Sequence, residues 1–283
     1  MHPAAHAQKT PDKPAYVMGR SGRRVTYREL DERSNQGAQL FRSLGLQPGD
    51  HVALCMENNE HYHQICWAAQ RSGLYYTCIS SRLSPPEVAY IVDDCDAKLF
   101  VASKAKRDIT EGLVEACPKL LARYLVGDCG EGFESWEDAI AGQPTIPIAD
   151  EVEGALMLYS SGTTGRPKGV KHPLELKPLG TPPPLALGVM AMYQANEDSV
   201  YLSPAPLYHA APLAFTMAFL RVGATVVVME HFDAAEALAL IERHRVTHSQ
   251  WVPTMFVRML KLPEAERARH DLSSRSEEHT SEL

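Results

Sequence analysis

Residues 160–169 read SSGTTGRPKG: two Ser, two Thr, three Gly, one Arg, one Pro and one Lys in ten positions. That composition suits holding a phosphate. Gly162, Gly165 and Gly169 permit backbone angles that bring N–H groups close to an anion. The hydroxyls of Ser160, Ser161, Thr163 and Thr164 can donate to phosphate oxygens. Arg166 and Lys168 add positive charge, and an arginine can engage two oxygens at once. The run is not a Walker A loop, which requires Gly-Lys-Ser/Thr after its four-residue spacer. Here Lys168 stands between Pro167 and Gly169.

Other chemically competent side chains are scattered. His209 follows the strand-like SPAPLY and precedes AAPL. Trp251, Pro253 and Thr254 follow another strand-like run, where an aromatic and small residues could line an apolar pocket or pack a core. His61, His63 and Cys66 have suggestive spacing, but no further Cys, His or acid completes a metal set, so they read as a helix face. Glu57, Asp93, Asp94 and Asp96 form no acid/base pair, and 93–96 reads as a surface helix end. No G-x-S-x-G occurs, which excludes an α/β-hydrolase nucleophile elbow.

The elements that must position these residues alternate. A short apolar run at 155–158 reads as a buried strand leading into the glycine-rich loop. Upstream, the patterns predict a helix at 27–44 ending at Gly45, a strand at 51–56, a helix at 58–71 and a strand at 75–79. Ser84-Pro85-Pro86-Glu87 has capping-box spacing, with proline allowed in the first turn, so a helix should run to about residue 94. Strands at 98–103 and 124–126 flank a helix at 104–116. Residues 127–151 are rich in Gly, Pro and acid and mark a boundary, dividing the chain into 1–150 and 151–274. Residues 173–184 carry several prolines and read as an exposed connection. Beyond them 200–203, 213–222, 224–229, 234–244, 248–252 and 254–260 alternate strand and helix. This rhythm predicts an α/β fold with stacked, largely parallel sheets and helices on both faces.

Composition sets the class. The chain has 283 residues, is 45% hydrophobic and 22% charged, and carries a formal net charge of −7. A sizeable core is therefore available, and nucleic-acid binding has no basic patch to rest on. No apolar run approaches the ~18 residues of a transmembrane helix. The first residues lack the apolar core of a signal peptide. Six cysteines without a C-x-x-C pair read as reduced thiols, which places the protein in the cytoplasm. Nothing in the composition assigns an oligomeric state.

YSSGTTGRPKGV (residues 159–170) resembles the phosphate-loop signature of adenylate-forming enzymes, the superfamily of acyl-CoA synthetases, luciferases and peptide-synthetase adenylation domains. TPDKPAYV, VTYRELDERSNQGAQL and GLQPGDHVAL resemble its opening segments, while SPAPLYHAAPL and THSQWVPTMFVRMLKLP resemble the acyl-CoA synthetase branch. The resemblance implies that a carboxylate attacks ATP to give acyl-AMP and pyrophosphate, and that coenzyme A then takes the acyl group. It implies that residues 160–166 and Lys168 bind ATP, that Thr164 meets Mg²⁺, and that His209, Trp251, Pro253 and Thr254 line the acyl site. Members also carry an aromatic-Gly-x-Thr-Glu loop, a Thr-Gly-Asp segment and a C-terminal domain with a catalytic Lys. None is in this sequence, which leads us to expect an N-terminal portion unable to complete catalysis alone. Delivery to a carrier protein and a non-catalytic nucleotide-binding or interaction role are the rival expectations.

The resemblance stops after HDLSS (residues 270–274). Residues 275–283, RSEEHTSEL, match one reading frame of the sequencing-library adapter AGATCGGAAGAGCACACGTCTGAACTC. The expectation is a non-native tail that makes no specific contacts.

Overall fold

The computed structural model describes residues 1–110, 112–160, 166–275 and the backbone of 277–280. Contacts divide the chain into two compact units, one holding Met1–Leu30, Asn58–Glu60 and Pro182–Leu283, the other Asp31–Glu57 and His61–Thr181.

The first unit contains α1 (Pro3–Lys9), β1 (Pro14–Met18), β2 (Arg24–Thr26) and the start of α2 (Tyr27–Ser43). The second unit takes the rest of α2 and then β3 (His51–Cys55), α3 (Tyr62–Arg71), β4 (Tyr75–Cys78), α4 (Pro85–Asp94) and β5 (Ala97–Ser103). A 3-10 helix (Lys104–Thr110), α5 (Leu113–Ala116), β6 (Ala122–Val126), β7 (Glu134–Ser135), α6 (Trp136–Ala141), β8 (Ala155–Ser160) and β9 (Lys168–Val170) complete it. The chain then returns to the first unit with α7 (Pro184–Tyr193), β10 (Val200–Ser203), α8 (Ala210–Val222), β11 (Thr225–Val228), α9 (Ala234–His244), β12 (His248–Trp251), α10 (Pro253–Leu260), α11 (Glu264–Arg267) and β13 (Glu277–Thr280).

The sheet of the second unit runs β7-β6-β5-β3-β4-β8-β9. All its pairings are parallel except β8 with β9. Its central strand β3, HVALC, is buried at every position, as a parallel strand covered on both faces must be. Alternation sends Ala53 and Cys55 to one face, where they meet Val88, Ile91 and Val92 of α4. The same face holds Phe100, Leu125 and Met157. Trp136 of α6 is fully buried and stands edge-on to Tyr124 at 5.8 Å. Residues 127–151 thus supply β7, α6 and a core aromatic, where the sequence suggested a boundary. Arg71, wholly buried, meets Asp31 at 2.9 Å and Glu151 at 2.6 Å and donates to Ser34 Oγ at 2.8 Å. Its charge is compensated by acids from two distant segments.

The first unit's sheet runs β13-β12-β10-β11-β1-β2, with only the β1–β2 hairpin antiparallel. β1 pairs with β11 in the register Tyr16↔Val226, so the opening of the chain is built into a sheet formed mostly after residue 182. The division at residue 150 therefore does not follow the compact units, because long-range strand pairing leaves no local mark. The helix expected from residue 58 begins at Tyr62 instead. Asn58 belongs to the first unit, donating to the carbonyls of Ala205 and Met229 and accepting from Leu207 N–H. Gly223 ends α8 at φ +87°, and a Cβ there would lie 2.6 Å from the His6 ring. Leu202, Val227, Ile241, Trp251 and Met255 form the core on one face.

Residues 277–280 pair parallel with β12, from His248↔Glu277 to Trp251↔Thr280. The outer edge of β12 offers unpaired backbone groups, and main-chain pairing there needs little of the incoming sequence. Among the described residues no helix is long and apolar enough to cross a membrane. The six cysteines are free thiols, with only Cys129 exposed.

Candidate functional site at the loop joining β8 and β9

β8 carries the chain into the glycine-rich run. It is parallel to β4, and its carboxyl end opens into the glycine-rich loop, the position at which α/β sheets hold ligands. The chain returns as β9, in the register Leu158↔Val170, Tyr159↔Gly169 and Ser160↔Lys168. Ser160 Oγ donates to the Lys168 carbonyl at 3.4 Å. Ser160, Arg166 and Lys168 are exposed. Among the described residues neither cation is ion-paired, so both remain available to an anion. Ser161, Gly162, Thr163, Thr164 and Gly165 lie outside the described residues.

The two limbs of the loop are fastened by groups to which the sequence alone assigns no role. Tyr159 O–H donates to Asp94 Oδ2 at 2.5 Å. Burial, reinforced by that bond, pushes the Tyr159 phenol well above its ordinary range, so it stays a donor. On the returning limb, Tyr90 O–H donates to the Pro167 carbonyl at 3.3 Å, and the Arg166 guanidinium carbon stands 5.4 Å from the Tyr90 ring centre. Tyr90 and Asp94 sit four apart on α4, hence on one helical face. α4 itself is fixed by its expected capping box: Glu87 accepts from both the Ser84 N–H, at 2.8 Å, and the Ser84 hydroxyl, at 2.6 Å.

Gly169 has a steric reason. A Cβ there would lie 2.6 Å from Met157 Cε and 3.1 Å from Tyr159 Cζ. The bare backbone lets the Tyr159 ring lie across β9 toward α4. Beyond β9, Lys171 Nζ is 2.9 Å from His51 Nε2 and 4.4 Å from the Tyr75 ring centre. Burial and the Lys171 charge lower the His51 imidazole to about 4, so it is neutral and accepts from the ammonium. Tyr75 O–H donates to the His172 carbonyl at 2.6 Å, closing the strap.

The residues expected at an acyl site do not share one environment. His209 precedes α8 in extended conformation, exposed, its ring 4.5 Å from that of Tyr208. Trp251 is 1% exposed, and its indole N–H donates to Ser249 Oγ at 2.6 Å. It stands edge-on to Phe232 and tilted against Phe256, so its place is the core. Pro253 and Thr254 are exposed in the first turn of α10. The strand β12 ends at Trp251 and α10 begins at Pro253, so the buried aromatic belongs to the sheet and the exposed Pro253 and Thr254 to the helix. His63 and Cys66 are buried within α3.

Comparison with known proteins agrees with this architecture. The chain is 30% identical over 266 residues to the fatty acid–acyl-carrier-protein ligase ScoC of Streptomyces coeruleorubidus, covering 91% of this chain and 48% of ScoC. It is 32% identical over 272 residues to 4-coumarate–CoA ligase 5 of rice, Oryza sativa subsp. japonica, covering 93% and 48%. The chain thus spans about half the length of the curated relatives it matches. The inhibitor-bound N-terminal domain of FACL13 from Mycobacterium tuberculosis superposes with a TM-score of 0.81 at 24% identity, covering 98% of this chain and 68% of that one. The family model of the AMP-binding enzymes matches residues 4–277, nearly the whole length over which the two sheets are built, and the chain belongs to that family.

Proposed function

We propose that the protein is an acyl-CoA synthetase: it activates an apolar carboxylate with ATP and passes the acyl group to coenzyme A. The observation that carries this reading is the exposed pair of cations Arg166 and Lys168, without an ion-pair partner among the described residues, on a loop at the carboxyl end of a parallel strand. Carboxylate and triphosphate repel each other, so attack on the α-phosphorus requires cations and donors already in place. Lys168 supplies a point charge and Arg166 a planar fork, while Ser160 adds a hydroxyl beside them. Pyrophosphate departs against the same groups, and the thiolate of coenzyme A then displaces AMP from the acyl carbon. Thr164, assigned to Mg²⁺ by the resemblance, lies outside the described residues; a bound Mg²⁺ would share with Arg166 and Lys168 the charge of the phosphates. The carboxylate-binding surface is proposed around His209, with Pro253 and Thr254 on the exposed turn of α10. The cytoplasm is the proposed location.

A second reading has one observation in its favour. ScoC delivers its product to an acyl carrier protein, as its name states, and it is as similar to this chain as the CoA ligases are. CoA is preferred because SPAPLYHAAPL and HSQWVPTM resemble the CoA branch. We further propose that the 283-residue chain by itself does not complete turnover, since the adenine, ribose and catalytic-lysine motifs of the family are not among its residues.

The test uses the longest natural protein carrying this sequence. Carboxylate-dependent exchange of pyrophosphate into ATP, followed by thioester formation on CoA, is expected with aliphatic or aromatic acids. Exchange that proceeds without CoA transfer, but with transfer to a phosphopantetheinyl carrier, would select the second reading. No exchange with any acid of such a panel would refute both.

A further inference from the structure

We propose that Asp94, with Tyr90, is a positioning residue for the phosphate loop, acting through Tyr159 and Pro167 rather than on the ligand. One rigid helix reaches both limbs. Asp94 takes the Tyr159 hydroxyl one residue before β8 ends, and Tyr90 donates to Pro167 one residue before β9 begins. α4 is immobilised by its capping box and by Val88, Ile91 and Val92 in the core. The limbs are in turn joined at Ser160 and Lys168. The spacing of Ser160, Arg166 and Lys168 is thereby set before any anion arrives, and preorganisation of this kind lowers the ordering cost of binding.

A carboxylate so near a polyphosphate site would by itself oppose the ligand. Its Oδ2 accepts the Tyr159 hydroxyl at 2.5 Å, while the Arg166 guanidinium carbon stands 5.4 Å from the Tyr90 ring centre. Asp94 is thus engaged by tyrosine rather than by the arginine, which remains exposed for anions.

The effect on ATP rests on the function proposed above; the effect on the strand does not, and the experiment separates them. Amide exchange of β9 is followed in the free protein for Asp94→Leu, Asp94→Asn and Tyr159→Phe. Loss of a hydrogen bond to a charged acceptor is expected to speed β9 exchange about tenfold or more in the Leu and Phe variants. The Asn variant keeps an acceptor oxygen and is expected to remain close to the parent. Unchanged exchange in both Asp94→Leu and Tyr159→Phe would overturn the inference. Tyr159→Phe removes only one hydroxyl, so it answers even if the Leu variant fails to fold. In the full-length enzyme, Asp94→Leu is expected to raise KM for ATP with KM for the carboxylate unmoved, and Asp94→Asn to restore it. An equal rise in both constants would mark a merely structural role. Should the parent enzyme show no ATP-dependent activity, the proposed function falls while the exchange result still judges Asp94.

Discussion

Gly169 offers a test in which opposing effects can be weighed. A methyl group at this position would lie 2.6 Å from Met157 Cε, 3.1 Å from Tyr159 Cζ and 3.2 Å from Tyr159 Oη. Met157 Cε is the end of a flexible side chain and can swing aside at small cost. Tyr159 has less freedom, because its hydroxyl is held 2.5 Å from Asp94. A shift of a few tenths of an ångström still leaves a hydrogen bond. Replacing glycine with alanine also removes unfolded-state freedom worth roughly 0.5–1 kcal/mol. Gly169→Ala should therefore be nearly neutral. Gly169→Val adds two further methyl groups where the ring lies, and overpacking of this kind costs about 1–3 kcal/mol. The strain falls on β9, an edge strand, so it should appear as local opening before global unfolding. Amide exchange at Leu158 and Val170 in the Val variant should accelerate by roughly 5- to 150-fold, the equivalent of that energy. The Ala variant should exchange within a few-fold of the parent. Unaltered exchange in Gly169→Val would refute the placement of the Tyr159 ring over β9.

Lys168→Ala in the full-length enzyme is expected to weaken ATP use by about 1–3 kcal/mol, read as kcat/KM for ATP at saturating carboxylate; unchanged kinetics would remove Lys168 from the site. Trp251→Ala should cost about 3–5 kcal/mol in urea unfolding, as for a large core aromatic. A variant of undiminished stability but altered acyl preference would instead return Trp251 to the pocket. His51 is held near 4 against an ordinary 6.5, so between those values the unfolded chain binds a proton that the folded chain refuses. Stability contributed by His51 is complete above pH 6.5 and declines as pH falls toward 4. His63, lowered to about 3, acts in the same direction. Urea midpoints across this range should fall with acid, less steeply in His51→Gln, and an identical slope would exclude His51. Finally, the source gene read across residues 270–283 should depart from RSEEHTSEL; a genomic frame encoding that peptide would establish the tail as natural.

The elements were legible where local physics dominates. Ser84 and Glu87 announced α4, and the apolar run before the glycine-rich loop announced β8, because caps and periodicity act within a few residues. The cations of the loop were legible for the same reason. What could not be read depends on chain segments meeting from afar. Nothing near Tyr16 signals Val226, so a division at residue 150 cuts across the compact units. Asp94 reads as a surface acid at a helix end and is exposed at the end of α4; its partner Tyr159 is not legible, because it lies beyond β5, β6 and β7 in sequence. Trp251 carried two readings, and only the packing of Phe232 and Phe256 around it chose between them.

The pairing of β1 with β11 has a consequence for how the protein is made. Apart from residues 58–60, the second unit is a continuous stretch ending at Thr181, so its sheet can close while the ribosome is still translating. β1 has no such opportunity, since its parallel neighbour ends at Val228. At about 5–20 residues per second, the stretch from 182 to 228 takes roughly 2–10 s to appear, and through that interval the apolar PAYVM strand is a nascent segment without its sheet. Codon choice and chaperone supply across this interval should therefore govern yield of the first unit more strongly than that of the second.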